Sequence, residues 1–201
     1  MLRTPRVAAS VEDADGVRVS DGDAQLLRLT AAGDRLAFEQ LYRIYHPRLT
    51  RFLDRMTRRP GLVGEMLNDT MLVVWNRAAT YNGSCQVSTW IFAIAYRKAL
   101  KALERLDEPV PDDPSDDERE SHDAGPEQQL AHAQLRSLLI DALGGLPPEQ
   151  RAVVALTYLH EIGYREIAQI VDCPIDTVKT RMFYARRRLR VLLAGRLEGW
   201  L

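Results

Sequence analysis

Residues 164 to 193 read YREIAQIVDCPIDTVKTRMFYARRRLRVLL, two short helical patterns joined by a tight turn, the second of them strongly basic. Ile167, Ala168 and Ile170 fall on one side of the first pattern. Pro174 keeps that helix from running on unbroken, because proline has no amide hydrogen to donate. Val178, Met182, Ala185 and Leu189 then recur at helical spacing, which leaves Lys179, Arg181, Arg186, Arg187 and Arg190 for the opposite surface. A small core face, a turn and a basic face in that order describe a helix-turn-helix whose second helix fits a DNA major groove. Basic helices also occur on ordinary solvated faces; the coincidence of all three features favours DNA contact.

Outward from this stretch, charge is distributed unevenly. The formal net charge is -1, yet residues 107–127 hold ten acids and one base while residues 174–201 hold seven bases and two acids. An acidic middle and a basic end say more about partners than the total does. The two cysteines, Cys85 and Cys173, are too few for a disulfide framework, and His46, His122, His132 and His160 form no compact set with them, so no metal and no cofactor is expected. No apolar run approaches membrane-spanning length, and residues 1–24 carry early arginines followed by acids in place of a signal-peptide core. A cytoplasmic protein with a disordered extension over 1–24 is expected.

The remaining pattern predicts an all-α chain of two helical domains. From 25 to 106, Phe38, Leu41, Tyr42, Tyr45, Leu49 and Phe52 form one apolar stripe; Val63, Met66, Leu67, Thr70, Val73 and Val74 form another. A third includes Trp90, Ile91, Ile94, Ala95 and Leu103, and three such faces make a bundle. Residues 107–126, rich in acids and proline, read as a flexible self-repelling linker. From 127 to 201, helices at Glu127–Leu143 and Glu149–Leu159, separated by GGLPP, lead into the helix-turn-helix. No Gly-rich phosphate loop and no catalytic dyad stands out, which argues against an enzyme.

The chain resembles the extracytoplasmic function group of bacterial sigma factors, in the sigma-70 superfamily. AFEQLYRIYHPRL (37–49), LNDTMLVVW (67–75) and STWIFAIAYRKAL (88–100) are similar to the family's promoter-melting and core-binding domain. LPPEQR, EIA, CP and TVKTR, in order within 146–190, are similar to its domain for the upstream, -35 promoter element. The resemblance implies a non-catalytic subunit that binds core RNA polymerase, especially the β′ clamp. It also implies recognition of double-stranded promoter DNA and opening of the -10 element with capture of the melted non-template strand. An anti-sigma factor is a candidate partner on the same ground. A stand-alone helix-turn-helix regulator and a polymerase-interacting protein remain the alternatives.

Roles follow from the aligned residues. The recognition helix is expected from Asp176 through Arg188, with Thr177, Lys179, Thr180 and Arg181 in its early turns. Arg181 is the leading base reader, since a guanidinium pairs bidentately with guanine. Among Tyr184, Arg186, Arg187, Arg188 and Arg190, more than half are expected to hold phosphates. The segment 79–87, ATYNGSCQV, resembles the family's base-capture loop, with Tyr81 and Asn82 foremost and Ser84 and Gln86 as edge contacts. Arg97, Lys98 and Lys101 add a basic strip, where IAYRKALK departs from a more usual IARNRALD. In the polymerase-binding helix, GLVGEMLND (61–69) replaces an acid-rich DAEDLVQE-like segment and keeps Glu65 and Asp69; Met66 and Val73 are assigned to the same contact. Two explanations of the lost acids stay open: compensation by apolar contacts, or phosphorylation of Thr70 or Thr57 by a Ser/Thr kinase.

Overall fold

A computed structural model describes residues 14–107 and 138–197. Among these residues the elements are helical, with no strand. The N-terminal domain comprises α1 (Ala14–Ala31), α2 (Arg35–Thr57), α3 (Pro60–Arg77), a 3-10 turn (Ala78–Thr80) and α4 (Val87–Asp107). The C-terminal domain comprises α5 (138–144), α6 (Pro148–Leu159), α7 (Tyr164–Ile170) and α8 (Ile175–Leu197). The expected linker lies outside the described residues except for Asp107, which ends α4.

Local chemistry sets the boundaries. Asp34 caps α2 by accepting from the amides of Leu36 and Ala37 at 2.8 and 3.2 Å, satisfying donors that a helix start leaves open. Arg58 ends α2 in the left-handed region at φ 56, and Pro60 then opens α3, where its missing amide costs nothing. Pro148 opens α6 in the same way. Helix α7 ends at Ile170 with Val171 as its cap and Asp172 at φ 51, so the break expected at Pro174 begins three residues earlier.

The predicted stripes form the core. Leu41, Tyr45, Leu49 and Phe52 of α2 are buried against Val63, Met66, Leu67 and Val74 of α3 and Ile91, Phe92 and Ala95 of α4. Phe52 and Phe92 meet edge to face with centroids 5.4 Å apart, and side chains of this size contribute about 1.5–3 kcal/mol each on full burial. One expectation is corrected: the disordered extension does not reach residue 24. Helix α1 already runs from Ala14, Leu27 is 1% exposed, and the buried Asp23 carboxylate accepts the Tyr45 hydroxyl at 2.5 Å. The acids before Gln25 masked a helix anchored by few apolar groups; residues 1–13 lie outside the described part.

The two domains pack together, α6 on α2 and α7 on α4. Arg151, 8% exposed, donates to the carbonyls of Leu143, Gly144 and Leu146 beside it and, at 2.6 Å, to that of Met56 in the last turn of α2. Arg58 pairs with Asp141 at 3.1 Å on the rim of the same seam.

Candidate nucleic-acid interface

Helix α8 is held by Val178, Met182 and Ala185, each at most 2% exposed, with Leu189 half-buried below them. At helical periodicity, the side opposite that buried stripe presents Thr180, Tyr184, Arg187 and Val191, all exposed. Phe183 adjoins them, 63% exposed, its ring edge-on to Tyr184 at 5.5 Å. Large aromatic rings facing water beside arginine suit a surface that meets another molecule. Phe183 is not legible as a surface residue of this kind in the sequence, because its spacing matches neither the core stripe nor the run of charges.

The other basic residues flank this face. Lys179 pairs with Asp176 at 2.9 Å, and Thr180 donates its hydroxyl to the Asp176 carbonyl at 2.8 Å. Arg186 lies toward α6, where both its Nε and Nη2 donate to the Tyr158 hydroxyl at 3.1 and 2.8 Å. The Tyr158 hydroxyl thus orients this guanidinium. Arg188 is exposed and Thr177 half-buried. Arg181 differs from its neighbours: it is half-buried, donates toward Cys173 Sγ at 3.7 Å and reaches the phenol of Tyr96 on α4. Burial pushes the Tyr96 pKa up and the Arg181 guanidinium pulls it back. In this arrangement the leading base reader faces the N-terminal domain, away from the outward face of α8.

The loop between the 3-10 turn and α4 divides its candidates by job. Tyr81 donates its hydroxyl to the Cys85 carbonyl and packs its ring 5.7 Å from that of Trp90, so it braces the loop. Gly83 takes φ 74 while Asn82 Oδ1 accepts from the Ser84 amide at 3.0 Å, a short turn that leaves Asn82, Ser84 and Gln86 exposed at its tip. Burial raises the Cys85 thiol pKa and the Glu166 carboxylate adds to the rise; α7 packs on α4, the helix that follows this loop. On α4, Arg97 and Lys101 are exposed, whereas Lys98 is bound to Asp69 of α3 at 2.8 Å. Lys98, expected at DNA, and Asp69, expected at polymerase, are paired with each other in the fold.

On α3, Glu65 is exposed, but Met66 is 6% exposed and belongs to the core, so its assignment to a polymerase contact is corrected. Val73 is half-buried against the core. The phosphorylation sites are corrected as well. Thr70 is fully buried and donates its hydroxyl to the Met66 carbonyl at 2.7 Å; Thr57, 5% exposed, donates to Leu53 at 2.9 Å. A kinase cannot reach either hydroxyl in the folded domain, and a dianion at either site has no water to solvate it. The open face of α3 carries Glu65, Asn68 and Asn76 together with one large apolar residue, Leu72. Leu72 is 57% exposed, and with Met71, Trp75 and Asn68 it joins Arg35, Phe38 and Tyr42 of α2 around a groove of 510 Å³. Phe38 meets Trp75 edge to face at 5.1 Å, and Tyr42 donates to Asn68 at 3.0 Å, so the walls are preformed. Among the described residues no His, Cys, Asp or Glu group is arranged to hold a metal, and no helix is long and apolar enough to cross a membrane.

The family model for sigma-70 region 2 matches residues 41–108, and that for sigma-70 region 4 matches residues 136–189. ECF RNA polymerase sigma factor SigM of Mycobacterium tuberculosis is 32% identical over 178 residues, covering 89% of this chain and 88% of the relative. ECF RNA polymerase sigma factor RpoE of Cereibacter sphaeroides is 30% identical over 161 residues, covering 78% and 86%. Among solved structures, CnrH in complex with the cytosolic domain of CnrY superposes with a TM-score of 0.66 at 22% identity, covering 87% of this chain and 99% of that one. The sigma factor RpoE bound to the anti-sigma factor NepR, from Bartonella quintana, gives 0.63 at 21% identity, covering 78% and 96%. At these identities the superpositions speak to fold alone.

Proposed function

The chain belongs to the extracytoplasmic function family of sigma-70 factors and is an alternative sigma factor of RNA polymerase; from that premise we propose which surfaces do which work. The observation that carries the reading is the outward face of α8, where Thr180, Phe183, Tyr184 and Arg187 stand exposed over a buried stripe that fixes their direction. This face enters the major groove of the -35 element, with Arg187 and Thr180 nearest the bases. Lys179, Arg186, Arg188 and Arg190 hold phosphates on its flanks, with Thr177 at its start, and Arg181 joins once the seam with α4 is open.

The turn carrying Asn82, Ser84 and Gln86 receives an unpaired base of the -10 element on a platform braced by Tyr81 and Trp90, while Arg97 and Lys101 attract the backbone. The groove beside Leu72 and Trp75 docks on the β′ clamp of core polymerase, with Glu65 at its edge. Apolar contact there takes the place of the acids this helix lacks. The protein adds no catalytic step of its own and works in the cytoplasm as an initiation subunit. An anti-sigma factor is its expected inhibitor, since a similar fold is seen bound to one.

Reconstitution with core polymerase tests this. The chain should direct transcription from a defined start site, and Arg187→Ala and Leu72→Asp should each reduce it, the first through DNA affinity and the second through polymerase affinity. DNA binding without productive association with core would establish the stand-alone regulator instead.

A further inference from the structure

One side chain in the seam between the domains is aromatic, titratable and left without a partner. His160 follows α6 and sets its imidazole between Phe52 of α2 and Phe92 of α4, with centroids 6.0 and 4.8 Å away. Its Nε2 is closed off from solvent and has no hydrogen-bond partner. From α2 the charges that bear on it are Arg48 and Arg51, both positive; Arg48 also lies over the Phe92 ring at 5.4 Å. From α4 it meets the Phe92 ring. A neutral imidazole fits this slot. An imidazolium loses its hydration there and gains two repulsive neighbours, while separation of the domains returns it to water.

We propose that His160 makes closure of the two domains acid-sensitive, so that the packed arrangement holds while its ring is neutral and gives way to separated domains as the ring is protonated. The group released on separation is the one closure occupies: Arg181 leaves Tyr96. Closure therefore competes with promoter contact, a consequence that rests on the sigma-factor reading, whereas the opening itself does not.

The direction follows from linkage. Burial, with Arg48 and then Arg51, lowers the imidazole from 6.5 to about 4 in the closed form. A depressed histidine supports closure fully above its free value and progressively less as pH falls through the window from 6.5 to about 4. Between about pH 7.5 and pH 5, the ratio of separated to closed forms should rise roughly 25-fold.

Small-angle X-ray scattering of the full chain over that range, with far-UV circular dichroism recorded in parallel, reads the change. The wild type should expand as pH falls while its helix content stays constant. His160→Phe, which fills the aromatic slot and carries no proton, should stay compact; His160→Gln supplies a second non-titrating variant should phenylalanine overpack the site. Expansion of equal size in these variants, or a wild type whose dimensions do not change across the range, would overturn the proposal. Neither DNA nor polymerase is present, so a failed transcription assay leaves this result standing on its own.

Discussion

Replacing Arg151 with methionine measures what the seam and the turn before α6 owe to one guanidinium. Methionine keeps an apolar stem of similar length and removes all five donors. Two of the four bonds, to Met56 and Leu146, are buried, and two, to Leu143 and Gly144, lie where water can take over. A bond from a charged donor is worth about 1.5–3 kcal/mol net, so losing the two buried ones removes about 3–6 kcal/mol. Relief of the buried charge opposes this, since burial and the nearby Arg58 already hold the Arg151 pKa below its ordinary value. The expected net loss is about 3 kcal/mol, read as a lower urea midpoint by circular dichroism with little change in slope. Arg151→Lys, a point donor unable to span four carbonyls, should fall between the two. A loss under about 1 kcal/mol for methionine, or a lysine variant as stable as the parent, would refute the assignment of Arg151 as the clasp.

The other predictions concern surfaces. Thr70→Val should fold with a loss of about 1 kcal/mol, the net worth of one neutral hydrogen bond, while Thr70→Glu should fail to give a cooperative thermal transition because it buries a charge at a fully enclosed site. Leu72→Asp should leave the thermal midpoint within a few degrees of wild type, since the residue is largely exposed, and weaken core-polymerase binding at least about tenfold in a fluorescence titration. Arg187→Ala should reduce discrimination between preferred and scrambled upstream DNA by about 1–3 kcal/mol if it reads a base. An equal loss on both DNAs, with a salt slope smaller by about one, would make it a phosphate anchor instead.

Much of the fold was legible because burial repeats with the period of a helix. The stripes through Leu41, Tyr45, Leu49 and Phe52 and through Val178, Met182 and Ala185 became core as their spacing required. Pairings between distant segments were not legible, since periodicity assigns a face and not a neighbour. Nothing in LPPEQR marked Arg151 as a donor to a carbonyl 95 residues away, and nothing in TVKTR showed that Arg181 would turn toward Tyr96. The phosphorylation idea failed for a related reason. A threonine on an apolar stripe, with its hydroxyl returned to the carbonyl four residues back, behaves as a small core residue; the stripe that contained Thr70 already pointed to that.

The placement of these surfaces on α2 also bears on the order of assembly that the proposed roles imply. Phe38 and Tyr42, in its first half, wall the apolar groove, whereas Phe52 and Met56, near its end, hold the C-terminal domain. At 1.5 Å per residue the 14 residues from Phe38 to Phe52 separate the two uses by roughly 20 Å, so a partner can enter the groove while the seam is shut. Helix α8 likewise keeps Thr180, Phe183, Tyr184 and Arg187 open to solvent in the closed form, and only its Arg181 edge is withheld. Under the proposed assignments polymerase docking does not require prior opening, whereas the Arg181 contact with the upstream element does. On that proposal the Arg181 contact is gained only when the domains separate, and protonation of a histidine that fits the seam as a neutral ring is the step that separates them.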